Sequence, residues 1–253
     1  MATYGRKSGH WIPPYALSLA GVPIHVSALY PTTKRFCKDY LSKNTPALSI
    51  TLTQEDIEAE RRRSELQDIT DGVPKRSFLD SYLETLALYR KLTTPLLERD
   101  ILVFHGAAVV ADGWVYLFTA PSGTGKTTHV RLWLDQIPGA YVLNGDKPLL
   151  KFTDKGVWVC GTPWQGKENM GRNEILPLKA ICILERGDSN QISAVGFPEA
   201  LSVLTQQVYR PADPVLLLKT LKLMGKLSHT NLFQLRCNME KEAAWVSYQG
   251  MNV

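Results

Sequence analysis

Cysteine is scarce in this chain, as are long apolar runs and any concentration of one charge. Its four cysteines, Cys37, Cys160, Cys182 and Cys237, lie far apart with no paired spacing, which argues against a disulfide framework and against a zinc site. Cys160 and Cys182 sit in apolar, strand-like runs, where a thiol acts as a small buried hydrophobe. No window approaches the ~20 apolar residues that a membrane helix needs, and Met1 to Lys7 lead into no apolar stretch long enough for a secretory signal. A reducing cytoplasm is the expected home, and a membrane is not an expected partner. The net charge of +5 is spread along 253 residues. The one dense run, Arg61-Arg62-Arg63, is flanked by Glu58, Glu60 and Glu65 and reads as a solvated helix face. A nucleic-acid surface would concentrate its cations more than this, so nucleic acid is not expected as a partner either.

What is present is the composition of an ordinary globular protein, 44% hydrophobic and 21% charged, with enough length for one catalytic domain and a smaller appendage. Up to about residue 100 the pattern mixes short strands (Tyr15 to Ala20, Pro23 to Ala28, Ala47 to Thr53) with helices at Pro31 to Ser42, at Thr53 to Gln67, and from a Ser77 N-cap to near Pro95 or soon after. Leu79, Tyr82, Leu83, Leu86 and Tyr89 recur at helical spacing and predict a buried face on the last of these. Residues 1–100 read as an α+β accessory region packing on a catalytic core at 101–253. From Ile101 the texture becomes apolar and strand-like: Ile101 to Ala111, Trp114 to Ala120, Tyr141 to Asn144, Pro148 to Phe152, Val157 to Gly161 and Leu178 to Glu185. A helix carrying Val130, Trp133, Leu134 and Ile137 interrupts this series. Pro198 and Pro214 open further helices, Leu232 to Cys237 is strand-like, and Met239 to Tyr248 closes as a helix. The expected class is α/β with a central sheet.

The decisive segment is Ala120-Pro121-Ser122-Gly123-Thr124-Gly125-Lys126-Thr127-Thr128, set between an apolar strand and an amphipathic helix. It matches the phosphate-loop pattern, with Ala120 in the first position where glycine is commoner. Gly123 and Gly125 let backbone N–H groups turn inward as an anion nest, and the following helix adds its positive end. Lys126 can bridge the β- and γ-phosphates of ATP, and Thr127 can offer its hydroxyl to Mg²⁺.

Phosphoryl transfer also needs a group that holds the metal or accepts the proton of the attacking hydroxyl. Asp146, in Asn144-Gly145-Asp146-Lys147, stands at the carboxyl end of the next apolar strand. A turn aspartate after Asn-Gly would look the same, but the strand end favours function. His105, alone in an apolar strand, reads from composition as a satisfied core residue, and His129 is equally ambiguous. The polar, glycine-bearing segment Thr162 to Glu174 is either a solvated connection or a substrate loop in which Lys167 and Arg172 meet phosphate oxygens. Arg210, ahead of a helix, either reaches the nucleotide or is solvated.

At Phe104-His105-Gly106, the loop Ser122 to Thr127 and the Asp146 segment, the chain resembles the HPr kinase/phosphorylase superfamily, whose catalytic domain shares its fold with phosphoenolpyruvate carboxykinase. Asp146 to Leu150, Gly161-Thr162-Pro163-Trp164 with Gly166-Lys167, Pro177 to Ala180 and Tyr209 to Pro214 resemble a group of bacterial HPr-kinase-like proteins nearly end to end. The resemblance implies a carboxykinase-like P-loop fold, His105 beside the transferred phosphate, and Asp146 as metal ligand, general base, or both. Relatives often assemble through the catalytic domain, which leaves a homo-oligomer open. Three features of the true HPr kinases are missing: Gly145 replaces the first aspartate of an acidic pair, Thr128 stands where an acidic residue usually follows the loop, and a later glycine-rich signature is not visible. HPr itself as acceptor, and the reverse phosphorolysis, are therefore not implied.

The expected activity is an ATP- and Mg²⁺-dependent kinase acting on a hydroxyl, either a serine of a protein or peptide or a small molecule. The alternative is a nucleotide-dependent binding or regulatory protein without chemistry, which Gly145 supports. A carboxykinase site needs a longer chain, and a motor or switch ATPase would show a longer strand–helix succession.

Overall fold

The computed structural model describes residues 12–121 and 123–252, so residues 1–11, Ser122 and Val253 lie outside the described residues. The chain forms two compact units, one ending at Leu92 and the other beginning at Thr93. Both mix helices with sheet.

In the first unit β1 (Tyr15–Leu19) and β2 (Val22–Ser27) form a hairpin. The helix expected over Pro31 to Ser42 is shorter. α1 (Pro31–Phe36) gives way to a 3₁₀ turn and then to β3 (Leu41–Ser42), which pairs with Leu17 and Ala16 of β1. Burial of Cys37 and Tyr40 and that pairing override local helix propensity. β4 (Leu48–Thr51) adds parallel to β2 and completes the order β3-β1-β2-β4. α2 (Gln54–Thr70) starts from a capping box between Thr53 and Asp56. Its buried carboxylates are paired, Glu60 with Arg63 and Arg90, and Asp68 with Arg76.

α3 (Asp80–Leu97) ends soon after Pro95, as expected, but begins beyond the Ser77 cap. Its buried face is Leu83, Ala87, Leu88 and Leu92, while Leu79 is 78% exposed and Tyr82 48%. The reason is Glu84. Its fully buried carboxylate accepts from Leu29 N, Tyr30 N and the Thr33 hydroxyl, and satisfying it sets the rotation of the helix. Leu79, placed one turn too early, stays in water.

The second unit contains β5 (Ile101–Val103), β6 (Ala107–Ala111), β7 (Trp114–Thr119), α4 (Lys126–Gln136), β8 (Tyr141–Asn144), β9 (Leu149–Thr153), β10 (Gly156–Cys160), β11 (Ile175–Arg186), β12 (Gln191–Ala194), α5 (Phe197–Gln206), α6 (Pro214–Gly225), β13 (Asn231–Cys237) and α7 (Glu242–Met251). The single strand expected over Ile101 to Ala111 is two. β5 pairs with β9, β6 pairs with β7 and β8, and Phe104-His105-Gly106 bends between them. Apolar runs on either side of a bend look the same as one long strand, so periodicity alone could not place the break. β12 carries only one strong strand former and gave no signal.

β11 joins two limbs of one sheet. Its first residues pair antiparallel with β10, and its remainder lies parallel between β7 and β13, with a register shift between Leu178 and Ala180. In the larger limb alternate side chains go to opposite faces, and both faces are buried. Val115, Leu117, Ile181 and Leu232 pack with α5, α6 and the β9–β10 limb, whereas Tyr116, Phe118, Cys182 and Leu235 pack with α4 and α7. That is why these strands read as continuous apolar runs. No helix among the described residues is long and apolar enough to cross a membrane.

Candidate active site

The pairing directions decide what meets what. β6 is antiparallel to both β7 and β8. The chain leaving β7, the chain entering β6 and the chain leaving β8 therefore share one edge of the sheet. Those segments carry the glycine-rich loop, His105 and Asp146.

In the loop, Gly123 and Gly125 take φ of 79° and 123°. An added Cβ would touch nothing within 4 Å at either position, so the requirement for glycine is conformational rather than steric. Gly125 caps α4, and the first turn of that helix has no acidic side chain. The positive end of the helix is thus uncompensated and directed at the loop. Lys126 Nζ donates to Ala120 O at 2.8 Å. Burial lowers the Lys126 pKa, and the charge of Asp146 acts in the opposite sense. Thr127 is exposed and Thr128 partly buried on the first turn. Arg186, at the end of β11, donates to Gly123 O at 2.5 Å and to Thr124 O at 3.3 Å. By holding two carbonyls on the outside of the loop, it favours the loop's amides facing the other way. A cavity of about 460 Å³ opens alongside, lined by Gly125, Thr128, Glu185, Arg186, Asn238 and Met239 among others.

Asp146 is clamped from several sides. Asn144, fully buried, accepts from Asp146 N (3.0 Å) and Lys147 N (2.7 Å) through Oδ1 and donates through Nδ2 to Thr162 O and Oγ1. Gly106 N donates to Asp146 O at 3.0 Å. The carboxylate faces His105 Nε2 at 3.3 Å and Lys147 Nζ at 2.8 Å. Burial alone would raise its pKa, but the hydrogen bond from His105 and the charge and hydrogen bond of Lys147 outweigh this and hold it well below the usual carboxylate range. It stays ionised. Gly145 sits against the 162–174 segment so closely that a Cβ would stand 2.7 Å from Gln165 O. There is no room at that position for a second carboxylate.

The other predicted positions are dispersed. Arg172 stacks on Tyr141, 3.9 Å from its ring centroid, at the amino end of β8 and hence the far end from Asp146. Lys167 is exposed with no ion pair among the described residues; its neighbour Glu168 ties the segment to Arg131 of α4 at 2.7 Å. Arg210 is exposed just beyond the residues that run beside His105, where His105 N donates to Gln207 O and Phe104 bridges Val208. Under the loop, His129 is enclosed. Ser247 Oγ donates to Ala244 O and accepts from Trp133 Nε1 at 2.7 Å, so His129 Nε2 donates to it at 3.1 Å. His129 Nδ1 then has no partner among the described residues. His129 is a buried neutral histidine.

Sequence reasoning overlooked Asn144, Lys147 and Arg186. The Asn-Gly-Asp-Lys turn contained a signal for the first two, since asparagine side chains commonly hydrogen-bond backbone two residues on. Arg186 gave none, because its partners lie 62 and 63 residues away. Among the described residues no cluster of three His, Cys, Asp or Glu side chains could hold a metal by itself. What the edge can offer a cation is an ionised carboxylate and a hydroxyl, a donor set suited to Mg²⁺ shared with phosphate oxygens and water.

No protein-family model matches this chain, and comparison with the curated proteins gives no match.

Proposed function

We propose that the protein is an ATP- and Mg²⁺-dependent kinase with a P-loop domain of the phosphoenolpyruvate carboxykinase and HPr kinase type, and that it phosphorylates a hydroxyl of a protein, peptide or small molecule in the cytoplasm. The observation carrying this reading is the meeting of the glycine-rich loop and an ionised Asp146 on one sheet edge, with His105 between their strands.

The amides of 123–126 and the uncompensated end of α4 grip the phosphates, and Lys126 leaves Ala120 O for the β- and γ-oxygens. Thr127 and Asp146 would hold Mg²⁺, which when bound neutralises the charge developing on the transferred group. A carboxylate with so low a pKa is a weak proton acceptor, which favours metal ligation over general-base work as its main role. His105, hydrogen-bonded to it, orients the carboxylate and borders the acceptor's approach. Lys147 neutralises Asp146 until the cation arrives. The nucleoside occupies the cavity beside Arg186 and Met239.

Incubation with γ-labelled ATP and host lysate tests the reading: the wild type should label an acceptor and Lys126→Ala should not. Labelling that survives Lys126→Ala would remove the loop from the chemistry. One observation favours a second reading, nucleotide binding without transfer: the 2.7 Å approach at Gly145 that bars a paired carboxylate. That reading gains if Mg·ATP binds and no acceptor is labelled.

A further inference from the structure

At the end of β7 opposite the glycine-rich loop, about 16 Å of strand away, β11 changes partners. Its residues up to Pro177 belong to β10, those from Leu178 to β7, and the register shift falls on Lys179. Two sheet limbs that diverge at a shared strand leave a cleft between them. Here the cleft has a volume of about 750 Å³ and is bordered by Trp114, the β9–β10 turn and the turn that precedes β13.

Its lining is uneven in charge. Among the described residues, Lys155, Lys179, Lys226 and His229 stand on its walls against a single acid, Asp154. Lys155 and Lys226 are exposed and make no ion pair among the described residues. The floor is apolar: Val157, Pro177 and Leu178 are partly buried, and Trp114 is 45% exposed although it begins a strand whose other residues are buried. An exposed tryptophan over a concave apolar floor, flanked by Lys155 and Lys226 without ion pairs among the described residues, is the composition of a recognition surface rather than of a solvated edge.

We infer that this cleft docks an acidic, apolar-bearing segment of a partner polypeptide, with its carboxylates on Lys155 and Lys226 and an apolar side chain against Trp114. Two features favour a polypeptide over a single nucleic-acid strand. Among the described residues no arginine lines the cleft to fork onto phosphate. The apolar floor also calls for an aliphatic side chain, which a nucleotide chain lacks. The site does not depend on the chemistry at the loop, so it holds for a kinase or for a binding protein.

The test uses the full chain and a fluorescein-labelled dodecapeptide of alternating Glu and Leu, read by anisotropy and by quenching of tryptophan emission at low and high salt. Saturable, salt-weakened binding is expected, reduced at least about tenfold by Lys155→Glu/Lys226→Glu and less by the corresponding Gln pair. Trp114→Ala should weaken it as well. All variants should keep the wild-type circular dichroism and melting temperature. Absence of saturable binding, or affinity unchanged by charge reversal, overturns the inference. So does tighter binding of a single-stranded oligothymidine of equal length, or of the peptide with Lys in place of Glu.

Discussion

Replacing Gly145 by alanine isolates the contact that distinguishes this edge from one with paired carboxylates. The new Cβ would lie 2.7 Å from Gln165 O and 3.5 Å from Met170 O, both backbone atoms. Backbone cannot swing aside as a side-chain tip can, so the 162–174 segment must retreat from Asp146. Overpacking of this kind costs roughly 1–3 kcal/mol. Alanine also stiffens the unfolded chain, which returns about 0.4–1 kcal/mol. The balance is a net loss of about 1–2 kcal/mol, which at about 2–4 °C per kcal/mol lowers the melting temperature by about 2–8 °C. Gly225 is the matched control: it is helical (φ −56°, ψ −30°), and a Cβ there meets nothing within 4 Å. Gly225→Ala should therefore stabilise by roughly 0.5–1 kcal/mol. Urea unfolding of both variants with a shared m-value gives the difference. If Gly145→Ala is as stable as Gly225→Ala, the close approach is not real and the explanation for the missing aspartate fails. The same geometry implies that Gly145→Asp cannot restore a carboxylate pair without moving Gln165.

Burial lowers the His129 pKa from 6.5 to about 4, so the unfolded chain binds a proton there before the folded one does. Stability is then full above pH 6.5 and falls toward pH 4 by about 3 kcal/mol from this group. His129→Gln should flatten the slope of unfolding free energy between those pH values, and an unchanged slope would place the titration elsewhere. Asp146 works lower down: its folded pKa is depressed, so its contribution is present above the unfolded value near 4 and is lost as pH falls through the folded value. Asp146→Asn should remove that acid-limb loss, and a wild-type acid limb in the variant would count against the His105 and Lys147 pairing. Arg186→Ala frees Gly123 O and Thr124 O and should weaken Mg·ATP binding by about tenfold in calorimetry. Affinity equal to wild type would show that the loop needs no such brace.

Much of the fold was legible because hydrophobic pattern is local. Tyr141 to Asn144 was read to the residue, and the capping Asp213 does accept from Val215 N and Leu216 N ahead of α6. The failures share one cause, a partner distant in sequence. Glu84 turned α3 to suit Leu29, Tyr30 and Thr33, more than fifty residues earlier, and β3 took its end of the predicted helix for pairing with β1. At the candidate site the loop stood out because its glycines, lysine and threonines follow one another. The clamp on Asp146 was hidden because Gly106 and Thr162 lie on other segments. From composition alone His105 read as a core residue, because its strand appeared unbroken, and only the resemblance marked it as functional. The break at Phe104 to Gly106 is what leaves its ring at the edge facing Asp146.

The most direct measurement is a crystal structure with Mg²⁺ and a nonhydrolysable ATP analogue. The account predicts the triphosphate within the amides of 123–126, Lys126 withdrawn from Ala120 O, and the cation between Thr127 and Asp146. An analogue bound away from the loop, or a cation to which Asp146 contributes nothing, would contradict it.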